Sequence, residues 1–457
     1  MWLYRAMPLI SELAVRSYYR VSVAGARIPA DGPVLLVANH NNSLVDPALV
    51  AAMASRNVRF LAKAPLFTHP LIGWLIKGVG SVPVYRQQDD PTLVSQNLDS
   101  FRDVHRVLVD GDMVGIFPEG ISHSASRLAP LKTGAARIAI GAAAQIGSDF
   151  PIIAVGLVFR DRDAFRSEAH VIIGESFRWD DLVGDLTNRG AVRELTTRIE
   201  RSMRRVSVNL EAWEDEPLVR TAEAVWRAEF GAEESPAAEV ERLRITTEAL
   251  EALRVASAGR RTDAGRPEGA GDERTESRWR DTAVELKAHG RALKQLGLTP
   301  ETLVEAVTFG EAVRWLLKRL LLLPLLPISI LGAIFFWIPK QITVRVAAWV
   351  AAKEGDDAVV THRVLLGGIV FPVWIAATSA MVWAQWGWMA GVLAVVVQPA
   401  WAFAALAVGE RRQVMWTAVR RYLLRRLIGD RLEPLRERQR ALASKLRALL
   451  DGASAAA

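Results

Sequence analysis

A chain of 457 residues has room for one large or two ordinary domains with real cores. It contains no cysteine, which excludes disulfides, thiolate metal sites and a cysteine nucleophile; its seven histidines form no HExxH or other ligand-spaced cluster, which argues against a metal enzyme. The net charge of +7 favours an anionic partner, and because the basic residues lie beside very apolar segments an anionic membrane surface fits better than nucleic acid.

Residues 1–20 mix Trp2, Leu3, Tyr4, Met7 and Ile10 with Arg5, Arg16 and Arg20, without a long apolar core or a small-residue cleavage site. They read as an amphipathic helix, suited equally to a membrane interface or to packing on its own domain, and not as a signal peptide. From Val34 to Phe177 apolar β-rich runs alternate with helix-like ones, the pattern of an α/β domain spanning about residues 21–210. The expected strands are Val34–Ala38, Val58–Ala62, Met113–Phe117, Ile152–Phe159 and Ala169–Gly174. The expected helices are Pro47–Ser55, Pro91–Val109 and Thr133–Gln145. Neither a Walker A sequence nor GxGxxG is present.

The first of these strands ends abruptly on Asn39 and His40, and Asp46 follows six residues after the histidine. In an open α/β sheet the turn at the C-terminal end of a strand is where ligands bind. A histidine there, with a carboxylate close enough to set its tautomer, can take a proton from a hydroxyl near neutral pH. Asp46-Pro47 is also a good N-cap and N1 pair, which would by itself explain both residues. Two later turns add to the set. Gly80-Ser-Val-Pro-Val-Tyr-Arg86 places Arg86 beyond a short extended run, and Gly115-Ile-Phe-Pro-Glu-Gly-Ile-Ser122 runs a strand into Glu119 and Gly120, with Ser122, Arg127 and Lys132 after it. A Pro-Glu-Gly turn is common and a single arginine is usually a surface charge. Taken together, a base, an orienting carboxylate, a glycine that admits close backbone approach and planar or point cations describe acyl transfer to a hydroxyl on a phosphate-bearing molecule.

These residues carry a resemblance. Asn39-His40 with Asp46, Gly80 with Arg86, Phe117-Pro-Glu-Gly120 and the run Ile152–Gly156 resemble, in order and spacing, the four blocks of the glycerolipid acyltransferases, which include lysophosphatidate and glycerol-3-phosphate acyltransferases. Leu131-Lys-Thr-Gly-Ala-Ala-Arg137, Phe165-Arg-Ser167 and the apolar C-terminal segments extend the likeness to a membrane-bound branch similar to fungal glycerol-3-phosphate acyltransferases. The chain departs from the common pattern twice: five residues, not four, separate His40 from Asp46, and Ala154 stands where proline is frequent. The resemblance implies a mixed sheet flanked by helices. It implies that His40 is the general base, that Asp46 orients it, that Arg86 holds the acceptor phosphate, and that Glu119, Gly120 and more weakly Ser122 shape the acceptor site. Arg127 and Lys132 are further candidate cations. The donor would be an acyl thioester on coenzyme A or acyl carrier protein, attacked directly and without a cofactor. The acceptor would be glycerol 3-phosphate, dihydroxyacetone phosphate or lysophosphatidate in phospholipid biosynthesis, with a remodelled lysophospholipid as the alternative. An inert lipid-binding protein of the same shape would have no chemical need for His40, Asp46, Arg86 and Glu119 together.

Beyond residue 210 the chain reads as a helical region, 211–318, with Trp213 and Trp226 as packing residues. Ser257–Ser277 lacks any aliphatic residue larger than alanine and reads as a disordered linker. Helix-like sequence at Trp279–Leu296 and Pro300–Lys318 suggests a solvent-facing hairpin around it. Membrane segments are expected over 319–409. Leu320–Ile338 is uncharged but holds Pro324 and Pro327, and is read as re-entrant or interfacial in preference to spanning. Val364–Gly409 is also uncharged and twice as long as one span needs, so it forms a hairpin of spans 364–384 and 388–408, with Trp383, Trp386 and Trp388 at the turn. The arginine-rich tail, 410–457, is cytoplasmic by the positive-inside rule and is either a basic amphipathic helix on anionic lipid or a packed helix. With acyl thioesters made in the cytoplasm, the catalytic domain belongs on the same side of the cytoplasmic membrane.

Overall fold

The computed structural model describes residues 2–54, 56–69, 72–85, 97–123, 127–184, 188–208, 216–231, 240, 242–243, 245–247, 273–304 and 326–456. The chain divides into two units. The first comprises Met1–Asp215, Glu234–Glu251 and Asp356–Thr361; the second comprises Glu216–Glu233, Ala252–Gly355 and His362–Ala457.

In chain order the first unit contains α1 (Trp2–Tyr18), β1 (Arg20–Gly25), β2 (Val34–Ala38), α2 (Val45–Met53), β3 (Val58–Lys63), α3 (Gly73–Gly78), β4 (Val82–Val84), α4 (Asn97–Val109), β5 (Met113–Ile116), α5 (Gly134–Ile146), β6 (Ile152–Phe159), β7 (Glu168–Ile173) and α6 (Arg189–Val206). All five residues of β2 are buried, as a central strand covered on both faces requires. The seven strands form one mixed sheet in the order β1-β7-β6-β2-β5-β3-β4, antiparallel only between β6 and β7. Helices pack on it through apolar positions: α5 offers Ala135, Ala136, Ile138, Ala139 and Ile140, and α6 offers Val192, Leu195, Ile199 and Met203. Gly156 of β6 is needed for this, because a Cβ there would lie 1.7 Å from the carbonyl oxygen of Val206 at the end of α6. Register then places the site. Val37 of β2 pairs with Ile116 of β5 on one side and Ala154 of β6 on the other, so the turns leaving β2 and β5 emerge side by side.

The five expected strands are present to within about a residue at each end. Strand β1 was not expected, and β4 was read only as an extended run before Arg86. Ala154 is fully buried in the sheet, where its carbonyl accepts from Gly174 N at 2.8 Å.

The second unit contains α7 (Glu216–Phe230), α8 (Glu273–Leu296), α9 (Pro300–Val304), α10 (Leu326–Phe335), α11 (Trp337–Glu354), α12 (Val359–Trp386, its first residues in the other unit) and α13 (Trp388–Ala456). Helix α8 is not a solvent-facing arm. Its Trp279, Leu286 and Leu293 are buried, and Leu293 joins Leu298, Leu303 and Leu432 in an apolar cluster. Inside this bundle His289 and Gln439 are both buried and in contact, and Gln439 Nε2 also donates to Glu229 Oε1 and to the Pro300 carbonyl. The linker reading falls on residues that lie outside the described ones up to residue 272.

Helices α12 and α13 hold two bilayer-length apolar stretches, Val359–Trp386 and Trp388–Gly409, joined at Gly387 with φ 88°. Their facing polar groups satisfy one another: Thr378 Oγ1 donates to Gln398 Oε1, and Gln398 Nε2 donates to Ser379 Oγ. Residues 320–325 lie outside the described ones. Past them, α10 and α11 meet at Phe336 with a bend of 48°, a geometry common to a broken span and a re-entrant segment. Pro339 sits in the first turn of α11, where no intrahelical N–H is lost, and residues 339–354 are helical. The distal part of α13 buries Leu442, Ala443 and Leu446, while the side chains of Glu410–Arg431 lie outside the described ones.

Candidate active site

Strand β2 delivers Asn39 and His40 to the C-terminal edge of the sheet. Asn39 acts as a clamp: its side-chain amide donates to Leu157 O at 2.9 Å and its oxygen accepts from Leu157 N at 2.7 Å, fastening the end of β2 to β6. The turn that follows is held from within. Asp46 Oδ2 accepts from Asn42 N at 2.6 Å, and Val45 N donates to Asn42 O at 2.9 Å. Ser43 takes a left-handed φ of 43°, and this accommodates the fifth residue between His40 and Asp46. The two side chains therefore still meet, with His40 Nδ1 2.9 Å from Asp46 Oδ2.

That contact decides the histidine tautomer. Oδ2 already receives an amide N–H from Asn42, so it acts as acceptor towards the ring as well, and Nδ1 carries the proton. Nε2 is left as the nitrogen that can accept a proton. The ring, with its side chain 19% exposed, stacks on Phe117 at a centroid distance of 4.2 Å and an angle of 20°. Asp46 is fully buried, and burial pushes its pKa up against the opposing pull of the His40 and Asn42 hydrogen bonds. A carboxyl whose folded pKa is raised contributes stability below its unfolded value and loses it as pH rises, so the ionised form weakens the fold at neutral pH. Asp46→Asn is accordingly expected to leave the melting temperature unchanged or higher. Its turnover should fall about 10²- to 10⁴-fold, because the asparagine oxygen can take over both hydrogen bonds of Oδ2 but, being neutral, no longer stabilises an imidazolium at His40. Calorimetry and an acyl-transfer assay on the same preparation check both halves.

Glu119 arrives from β5. Its carboxylate is 1% exposed and both oxygens are engaged. Oε1 accepts from His40 N at 2.8 Å, while Oε2 accepts from Ala129 N at 2.7 Å and contacts His123 Nε2. Glu119 thus shapes the site by holding its walls. Gly120 has φ 72°, a conformation that suits glycine, and Lys132 N donates to the Pro118 carbonyl at 2.7 Å. A Cβ at Gly120 would sit 3.3 Å from Lys132 Cγ, so the lysine stem runs beside this turn. Ser122 Oγ accepts from Ser43 N at 3.0 Å, which bridges the two turns. Arg127 and Lys132 are exposed. Arg86 lies outside the described residues.

Several contributors were not singled out from the sequence. His123 donates its amide to His40 O at 3.1 Å, and Glu119, Asp357 and Asp46 hold its imidazole pKa above the usual histidine value. Asn42 Nδ2 donates to Tyr19 Oη at 2.8 Å, and the Tyr19 hydroxyl, its pKa pushed up by burial, donates to the Arg162 carbonyl. Arg162 in turn donates to the Asn41 carbonyl. A His in a strand-to-helix turn signals a site; its outer partners come from distant segments and carry no local pattern.

Residues 20–158 match the family model described as Acyltransferase. The chain is also similar to curated relatives, among them three acyltransferases. It is 29% identical over 133 residues to a chloroplastic 1-acyl-sn-glycerol-3-phosphate acyltransferase of Arabidopsis thaliana, a match covering 29% of this chain and 35% of the relative. It is 33% identical over 135 residues to glycerol-3-phosphate O-acyltransferase 1 of Saccharomyces cerevisiae, covering 28% and 18%. It is 35% identical over 136 residues to a lyso-ornithine lipid O-acyltransferase of Rhizobium meliloti, covering 27% and 44%. The matched stretch is less than half the length of each relative. The likeness to glycerolipid acyltransferases read from the four blocks holds across it.

Proposed function

From the acyltransferase match over residues 20–158, we propose that this chain is a membrane-bound O-acyltransferase that moves a fatty acyl group from a thioester to a hydroxyl of a glycerol phosphate, either glycerol 3-phosphate or its 1-acyl derivative. The observation that carries the reading is the His40–Asp46 hydrogen bond at the C-terminal end of β2, inside the matched stretch. His40 Nε2 takes the hydroxyl proton as the acceptor oxygen attacks the thioester carbonyl. The tetrahedral intermediate then expels the thiolate, which recovers the proton from the imidazolium. Asp46 stabilises that imidazolium while it exists. Arg86, with Arg127 and Lys132, is assigned to the acceptor's phosphate by resemblance.

A lysolipid acceptor is the second reading, favoured by the Rhizobium relative, which is 35% identical over 136 residues and is named for a lyso-ornithine lipid. The test is transfer of radiolabelled acyl from coenzyme A and from acyl carrier protein to glycerol 3-phosphate, dihydroxyacetone phosphate, lysophosphatidate and other lysolipids. Transfer to the first three supports the leading reading, transfer to the last alone supports the second, and transfer to none supports an inert lipid-binding protein.

Membrane attachment rests on the α12–α13 hairpin and on α1, where Leu9 and Leu13 are 62% and 64% exposed. The reading places the catalytic residues and the basic tail on the cytoplasmic side of the cytoplasmic membrane, with anionic lipids as the tail's partner. Because the chain has no cysteine, Ala352→Cys provides a single label site in α11. It is expected to resist membrane-impermeant maleimide in intact cells and to react after lysis; labelling from outside would overturn this topology.

A further inference from the structure

The amides after His40 have no strand to pair with, yet a buried backbone N–H left alone is costly. Asn42 N is taken by Asp46, Ser43 N by Ser122, and Val45 N by the Asn42 carbonyl. Leu44 N donates to Thr361 Oγ1 at 3.1 Å, across 317 residues of sequence. Leu44 is the N-cap of α2, and leucine has no side-chain acceptor with which to cap it. Thr361 is 4% exposed, and its neighbours Ala358 and Val360 are 5% and 0% exposed. The segment Asp356–Thr361 belongs to the catalytic unit although the chain on either side of it belongs to the other. Thr361 stands in the first turn of α12. From the same segment Asp357 acts electrostatically on His123, whose amide holds the His40 carbonyl.

We propose that Thr361 is a positioning residue of the acyltransferase reaction: its hydroxyl fixes the Leu44 peptide, and through it the left-handed Ser43 turn that sets His40 against Asp46. The Asp356–Thr361 segment is then a strap on the catalytic turn. This rests on His40 being the base. Without the strap, the Ser43 conformation, which costs free energy in any non-glycine residue, relaxes and the imidazole loses its alignment with the acceptor hydroxyl.

The test uses the full-length protein with Thr361→Val, Thr361→Ala and Thr361→Ser, radiolabelled acyl-coenzyme A, and glycerol 3-phosphate or lysophosphatidate as acceptor. Removing the hydroxyl is expected to lower kcat about tenfold while KM for either substrate stays within about twofold, and serine restores kcat. Deuterium exchange without substrate is expected to quicken in peptides covering residues 41–46 of the valine and alanine variants, and to return to normal with serine. A merely structural threonine would lower yield or melting temperature and leave kcat per folded enzyme unchanged; that result overturns the proposal. Unchanged exchange at 41–46 also overturns it, whatever the acceptor. An active His40→Ala measured alongside would sink the base reading, whereas an inactive His40→Ala beside a fully active Thr361→Val would sink the strap alone.

Discussion

His40→Ala is expected to lower acyl transfer about 10²- to 10⁴-fold, the usual contribution of a positioned general base, while the protein folds and inserts as before. The fold should survive because the contacts that anchor residue 40 are made by its backbone. Its N–H goes to Glu119 and its carbonyl receives the His123 amide, and alanine keeps both. What is lost is the ring, with its stack on Phe117 and its hydrogen bond to Asp46. Combining His40→Ala with Asp46→Asn should cost little more than His40→Ala alone, since an orienting carboxylate acts only through the imidazole it orients. Single-turnover acyl transfer with matched expression and melting temperatures checks this. A His40→Ala enzyme keeping more than a tenth of wild-type rate would remove the histidine from its role.

The contact between His40 and Asp46 was legible because its signal is local. The apolar run of β2 gives way to Asn39 and His40, and Pro47 marks the first turn of the next helix, so strand, turn and helix follow from neighbouring residues; the N-cap, however, is Leu44 and not Asp46, whose carboxylate faces His40 and Asn42 N instead. Edge strand β1 was missed because Arg20-Val-Ser-Val is a short alternation whose residues are at most partly buried, and β4 was read only as an extended run because it is three residues long. Pro324 and Pro327 suggested a broken segment, and among the described residues the break falls later, at Phe336, where α10 and α11 meet at 48°. The links among Glu119, Ser122, Thr361 and the turn depend on the β2–β5 register and on a chain return more than three hundred residues later. No window of sequence holds both partners of such a link, so the framework around His40 became visible only in three dimensions. Glu119, read as part of the acceptor site, has both carboxylate oxygens taken up inside this framework, one of them by His40 N.

Glu119→Gln is therefore expected to damage the enzyme as severely as the loss of a catalytic group. The carboxylate serves His40 N, Ala129 N and His123 with two oxygens, inside a site where it is 1% exposed. Glutamine can keep one acceptor but turns an NH₂ towards a backbone N–H and an imidazole, setting donor against donor. Breaking a buried charge-assisted set in this way costs about 3–5 kcal/mol, and a shift of His40 by even a fraction of its hydrogen-bond length costs about 10²-fold in rate. The variant carries a pH signature as well. Glu119 is the largest cause of the raised His123 pKa, followed by the smaller pulls of Asp357 and Asp46, which the substitution leaves in place. A histidine whose folded pKa is raised contributes stability that is full below its unfolded value of 6.5 and is lost as pH climbs through the folded value. The gap in melting temperature between wild type and Glu119→Gln should consequently be widest in mildly acidic buffer and shrink above neutrality without closing, since one of the two amides stays unsatisfied at every pH. A gap that does not change with pH would detach His123 from Glu119, and a variant retaining half of wild-type kcat would show that the two turns keep the base aligned without this carboxylate.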